Sequence, residues 1–279
     1  WFKTTCWILG NFMNSFPVSI VDSVDMQIDL KAMQNKFFNH YLDYEDDLYL
    51  LHKNKVDYVG QFVEIKDYSI YYDLDFDFSQ LGVNENILNH LATMKANGKC
   101  LISRYIVDLN HNKIERVKAE PFTQNFALTN NAFDYRKNER KFKESPEALF
   151  DDDLRKMMLF ALKKIQSYTQ CGGLLITLLF FCQGCESATN SPEGIHQDGM
   201  DFIMFAFVVE RKNVNGAKSI VYAEDKETKI FEAVLKEGQG LLQADLHSSL
   251  WHEVTEISPL NPNEMAYRSS IGFDIECLK

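Results

Sequence analysis

The sequence predicts a mainly β fold with flanking helices, built as a sandwich or a closed barrel. Three observations predict it. About seven short apolar or alternating segments follow residue 173, with turn residues between them. One strongly amphipathic segment stands immediately before them. No Pro/Gly/Ser-rich linker divides the 279 residues, so a single domain over 1–279 is expected, with residues 1–98 wrapping a core over 99–279.

The elements follow in order. Asp73-Leu-Asp-Phe-Asp-Phe78 alternates acid and apolar side chains, as a strand with one wet face does. Ile87, Leu88, Leu91 and Met94 recur at helical spacing, so Asn84–Asn97 reads as a helix stopped by Gly98. Cys100–Leu109 is apolar and β-rich, and Phe122–Phe133 reads as a loop. Ser145-Pro-Glu-Ala148 opens the strong helix, which Leu154, Met157, Met158, Ala161, Leu162 and Ile165 line on one face and Cys171-Gly-Gly173 ends. Leu174–Cys182 is unbroken apolar sequence, suited to a strand buried on both faces. Met200–Glu210 follows, then a turn at Asn213-Val-Asn-Gly216. Strands are expected at Ser219–Ala223, Lys229–Leu235, Gly240–Leu246, Leu250–Ile257 and Ser269–Cys277.

Composition excludes several functions. With 29 Lys plus Arg against 40 Asp plus Glu, the formal charge is −11, and no basic run offsets it, so no nucleic-acid partner is expected. The longest apolar run, 172–182, is about half the roughly 20 residues a membrane-spanning helix needs. Residues 1–16 carry Lys3, Asn11 and Asn14 and show no clean apolar stretch, so no signal peptide, no membrane partner and a cytoplasmic location are expected. Cys182-Gln-Gly-Cys185 has the spacing of half a zinc site, but no second CxxC accompanies it, and it reads as two thiols at a strand end.

The chemistry centres on Gly194-Ile-His196-Gln-Asp198-Gly199. On a strand, residues i and i+2 share a face, so His196 and Asp198 can offer one imidazole and one carboxylate to a single metal. With 7 histidines and 40 acids, about one His-x-acid triplet arises by composition alone, so the flanking glycines and the apolar strand that follows carry the signal. A third ligand must come from a later strand. His247 and His252 are the candidates. His252 is favoured because it lies inside an apolar strand pattern, Leu250-Trp-His-Glu-Val-Thr255, whereas His247 sits beside Ser248-Ser249. Two His and one carboxylate make the facial triad of non-haem Fe(II) oxygenases, which leaves positions open for substrate and dioxygen. Arg268 opens the last strand. An Arg inside a β core needs an anion, and its planar fork suits a carboxylate; taken alone it also reads as a surface charge at a strand start.

Four blocks, Pro192-Glu-Gly-Ile-His-Gln-Asp-Gly-Met-Asp-Phe202, Asn215-Gly-Ala-Lys-Ser-Ile-Val-Tyr222, Trp251-His-Glu-Val-Thr-Glu-Ile257 and Tyr267-Arg-Ser-Ser270, resemble in order and spacing a bacterial family of Fe(II)- and 2-oxoglutarate-dependent dioxygenases. Its characterised members hydroxylate free L-amino acids, isoleucine among them. The likeness is good over 194–277, fainter over 103–124 and absent before 99. It implies a double-stranded β-helix, a cupin-like jelly roll, with His196, Asp198 and His252 as iron ligands and Arg268 as the 2-oxoglutarate anchor. It implies Fe(II), 2-oxoglutarate and O2 as cofactor and cosubstrates, succinate and CO2 as products, and a small-molecule substrate. Arg104 is a candidate partner for a substrate carboxylate, and Asp201 a candidate orienter near the metal. This chain has Gly216-Ala217 where the family usually has two glycines, and Gln197 where it usually has Arg. It also lacks the Arg expected within 181–186, which leaves the substrate open. Two other readings remain: a cupin-like metal oxygenase that does not use 2-oxoglutarate, and a non-catalytic jelly-roll binding module.

Overall fold

The computed structural model of the chain describes residues 18–42, 98–108, 111, 113–119, 144–145, 147–184, 194–246, 248–264 and 266–278. The expected strand at Asp73–Phe78, the helix at Asn84–Asn97, the loop at Phe122–Phe133, Cys185 and His247 lie outside these residues. Twelve strands and two α-helices are described in them: β1 (Ser19–Asp22), α1 (Leu30–Leu42), β2 (Gly98–Asp108), β3 (Lys113–Val117), α2 (Asp152–Gln166), β4 (Gly173–Gly184), β5 (Phe202–Lys212), β6 (Val214–Gly216), β7 (Lys218–Tyr222), β8 (Lys229–Val234), β9 (Gln239–Ala244), β10 (Trp251–Val254), β11 (Ile257–Pro259) and β12 (Tyr267–Leu278).

The strands form two facing layers. The larger is a seven-stranded sheet in the order β1-β9-β5-β12-β4-β2-β3, antiparallel throughout. The smaller layer holds β10-β7-β8 and the pair β11-β6. This is the mainly β sandwich with flanking helices that the strand pattern predicted, and the jelly-roll-like architecture that the resemblance implied. Side chains alternate along each strand, so the large sheet supports two cores. Phe202, Met204, Phe207 and Val209 of β5 join Leu154, Met157, Met158 and Leu162 of α2 on one side. Ile203, Phe205 and Val208 face Val221 of β7 and Val254 of β10 on the other. That second core is the interior of the sandwich.

The alternation slips in the middle of β5. Phe205 and Ala206 both face the interior, because the ladder to β12 shifts between Ile271 and Phe273. Ala206 takes φ 57 there. Two residues of β5 thus oppose Gly272, a bulge that re-aims the strand beside the interior.

The expected helix starts later than Ser145. Residues 147–149 form a single 3-10 turn, and Asp151 caps α2 by accepting from the backbone N–H groups of Asp153 and Leu154. An Asp at this place satisfies two of the helix's N-terminal donors. The expected turn at Asn213–Gly216 contains β6, paired with β11. The expected strand Leu250–Ile257 is divided between β10 and β11.

Gly216 and Ala217 explain why two small residues stand together here. Both lie in the left-handed region, at φ 83 and φ 51. A Cβ on Gly216 would sit 2.1 Å from the Glu256 carbonyl oxygen. Gly216→Ala is expected to cost about 2–4 kcal/mol, from strain plus that clash. Ala217→Gly is expected to be within about 0.5 kcal/mol of neutral, because relief of the left-handed Ala offsets the extra freedom of the unfolded chain. Urea unfolding midpoints of the two variants check both figures.

Candidate metal centre

His196 is joined to the sandwich by one antiparallel bridge. Its N–H donates to the carbonyl of His252 at 2.9 Å, and the N–H of His252 donates back at 3.0 Å. The two imidazoles therefore sit side by side, ring centroids 4.3 Å apart. The residues after His196 leave the ladder, and Gly199 at φ 86 turns the chain toward β5. The bridge followed by a loop, rather than a regular strand, brings Asp198 back over the pair.

The three side chains converge. Asp198 places Oδ1 3.6 Å from His196 Nε2 and Oδ2 3.3 Å from His252 Nε2. One ligand atom from each lies within 4.8 Å of the others. Adjacent ligands about 2.1 Å from one ion lie roughly 3 Å apart, so these spacings suit a single metal. The ring of His196 is held from behind, with Nδ1 2.7 Å from the Gly194 carbonyl. A carbonyl can only accept, so Nδ1 carries the proton and Nε2 presents its lone pair to the metal position. The ring of His252 stacks on Phe205, centroids 4.7 Å apart and planes at 26°. Phe205 comes from the β5 bulge.

Two residues outside the set of site candidates hold this loop. The side-chain amide of Gln197 donates to the carbonyls of Asp245, Ser248 and Leu250 at 3.1, 3.3 and 2.8 Å. Asp245, fully buried, accepts from the N–H groups of Gly199 and Met200 at 2.7 and 3.0 Å. Its other oxygen lies 4.0 Å from His252 Nδ1. Burial first, and then the charge of Asp198, push the Asp245 carboxyl up to about 7. The one available signal was a lone acid ending the apolar run Gly240–Leu246, which reads as a turn residue. Asp245→Ala is expected to weaken Fe(II) affinity by about 10- to 100-fold, the usual cost of losing a group that orients a ligand; a competition titration against a chelator checks it.

Arg268 lies on β12 with 0% of its surface exposed. Among the described residues, Nη1 makes a long 3.4 Å hydrogen bond to Ser270 Oγ, while Nε and Nη2 have no partner. Arg211 stands opposite it in the β5–β12 ladder. Burial, and then the charge of Arg211, lower the Arg268 guanidinium to about 9. Two cations on one buried face, one with open donors, fit the far carboxylate of a dicarboxylic acid. The donor set of His196, Asp198 and His252 fits a ferrous ion, so the residues present suit both groups of an iron/2-oxoglutarate site.

The remaining candidates lie apart from the triad. Arg104, half-buried on β2, pairs with Glu276 at 3.1 Å. Asp201 is exposed, and its carboxylate accepts from the N–H of Cys277 at 2.7 Å. It ties the loop before β5 to the end of β12. Among the described residues, no helix is long and apolar enough to cross a membrane.

Comparison with known proteins gives a consistent result. The sequence profile of the 2OG-Fe dioxygenase family matches residues 92–274. No curated protein sequence matches the chain. Among solved structures, a bsmA homolog from Methylobium petroleophilum PM1 aligns with TM-score 0.51 and 20% identity, covering 64% of this chain and 72% of its own. IDO from Bacillus thuringiensis aligns with TM-score 0.51 and 12% identity, covering 77% and 82%. Both likenesses concern the fold.

Proposed function

The chain belongs to the 2OG-Fe dioxygenase family, and from that premise we propose that it hydroxylates a small polar molecule, a free L-amino acid. It is a 2-oxoglutarate-dependent dioxygenase that uses Fe(II), 2-oxoglutarate and O2. The observation that carries the reading is the convergence of His196, Asp198 and His252 within 4.8 Å, together with a fully buried Arg268 with open donors among the described residues.

In this reading His196, Asp198 and His252 would hold the iron, and Arg268 would pair with the far carboxylate of 2-oxoglutarate. The loaded centre couples oxidative decarboxylation of 2-oxoglutarate, giving succinate and CO2, to hydroxylation of a C–H bond. The chain's own residues supply orientation and dryness. Gly194 fixes the tautomer of His196. Phe205 covers one face of His252 and keeps water from it. Arg268 sets which end of the dicarboxylate reaches the metal. The amino-acid substrate rests on the likeness of residues 194–277 to amino-acid hydroxylases. Residues 1–98 and 99–279 act in this reading as one domain, the first a wrap around the catalytic core.

Incubating the protein with Fe(II), 2-oxoglutarate, air and each of the twenty amino acids in turn tests it. Succinate formation well above the background with one or a few aliphatic amino acids is expected. Stimulation by none of them, in protein that binds Fe(II) and 2-oxoglutarate, would set the amino-acid substrate aside.

A further inference from the structure

The inner face of the large sheet carries a polar row that the iron and 2-oxoglutarate do not use. The registers of four ladders run through it: Gln243 of β9 stands opposite Ile203 of β5, Ile203 opposite Asp274 of β12, Asp274 opposite Thr177 of β4, and Thr177 opposite Arg104 of β2. Directly opposed residues point to the same face. Ile203 belongs to the interior core, so the whole row faces the sandwich interior. Phe205, one alternation along from Ile203, stacks on His252. Asp245, one alternation along from Gln243, reaches toward the same ring. The Gln243–Ile203 end of the row therefore lies next to the metal position.

Gln243 is the telling member. It is 1% exposed, yet among the described residues neither its Oε1 nor its Nε2 has a hydrogen-bond partner. Native interiors rarely leave both ends of a buried amide unmet unless a ligand or an ordered water completes them. Asp274, 7% exposed, supplies the row's buried carboxyl group. Adjacent strands are about 4.8 Å apart, so the Cα atoms of Gln243 and Asp274 are separated by roughly 10 Å, with the apolar Ile203 between them. A small molecule with polar groups at one end and a hydrocarbon portion matches that sequence of amide, apolar floor and acid.

We propose that Gln243 and Asp274 form the substrate-recognition floor, Asp274 taking a cationic amino group and the Gln243 amide hydrogen-bonding a second polar group, with the aliphatic part over Ile203. The assignment deepens the amino-acid reading and rests on it. The amide offers one acceptor and two donors, so it can meet a carboxylate through Nε2 while Oε1 accepts from a neighbouring N–H. Thr177 and Arg104 continue the row beyond Asp274, toward the sheet edge.

The test is binding, read by thermal shift under anaerobic conditions with Fe(II) and 2-oxoglutarate present. The wild-type protein and Gln243→Leu are titrated with the amino acids, and half-saturation is read for each responding ligand. Gln243→Leu is expected to raise it at least 10-fold while the shift produced by 2-oxoglutarate itself persists. Asp274→Asn is expected to raise it as well, and methylating the ligand's amino group is expected to weaken binding to wild type. Equal half-saturation in wild type and Gln243→Leu overturns the proposal and leaves the amino-acid reading standing. No response by wild type to any amino acid overturns both. Gln243→Met, of equal length without the amide, serves if the Leu variant does not fold. Failure of both to fold assigns the amide to the fold, through a bound water, and overturns the proposal too.

Discussion

His252→Ala is expected to abolish iron binding and, with it, succinate formation. The loss in turnover is at least about 10³-fold, or roughly 4 kcal/mol, since the chemistry resides on the metal. The geometry explains why one imidazole matters this much. His196 and His252 are locked to each other by reciprocal backbone hydrogen bonds, and Asp198 bridges their two Nε2 atoms. Removing one imidazole leaves a His and a carboxylate, a two-point site. Such a site cannot hold a divalent ion against water at ordinary concentrations. The variant also loses the stack on Phe205, so its fold must be checked separately. Its metal-free melting temperature should fall only by the cost of a buried side chain, about 1–3 kcal/mol. The decisive reading is spectroscopic. Fe(II) with 2-oxoglutarate under argon should give a weak visible charge-transfer band in wild type and none in His252→Ala. A band that persisted in the folded variant would show that His252 is not a ligand.

Much of this architecture was legible because apolar runs and alternation survive without knowledge of the fold. Leu174–Cys182 reads as a doubly covered strand, and β4 buries Leu174, Ile176, Leu178 and Phe180 fully on one face and Leu175 and Leu179 in part on the other. The triad was legible because a His-x-Asp between glycines needs only one distant partner, and His252 sits in a strand pattern. The rest was hidden for stated reasons. Three-residue strands such as β6 and β11 are too short to show a period. The bulge at Ala206 falls in Phe202-Ile-Met-Phe-Ala-Phe-Val-Val209, where every residue is apolar and a slip of face leaves no trace in the pattern. Gln197 and Asp245 work through partners about 50 residues away, and a single sequence does not record such pairings. Gln243 is a polar residue in an apolar strand, a visible anomaly, but its unmet amide is a property of the packed interior.

Arg268→Met is expected to raise the 2-oxoglutarate requirement by about 10²- to 10³-fold while leaving iron binding nearly intact. The figure follows from breaking a desolvated charge pair, about 3–5 kcal/mol. The same substitution should stabilise the ligand-free protein. Arg268 is wholly buried, and its Nε and Nη2 have no partner among the described residues. Its folded pKa is lowered to about 9 from 12.5. A base whose folded pKa is depressed costs stability below that value, because the native state must keep a proton it holds poorly. At pH 7 the full cost is present, and no titration relieves it until pH rises through about 9. Replacing the cation by an apolar chain of similar length removes that cost, and gains of about 1–4 kcal/mol accompany such replacements. Ligand and mutation should therefore act in opposite senses. In wild type, 2-oxoglutarate at about 100 times its Kd adds roughly 2.7 kcal/mol to stability and raises the Tm. In Arg268→Met the ligand-free Tm starts higher, and the same concentration should produce almost no further rise. Loss of iron binding in this variant would instead place Arg268 in support of the metal ligands, and an undiminished 2-oxoglutarate shift would give the anion's anchor to Arg211 across the ladder.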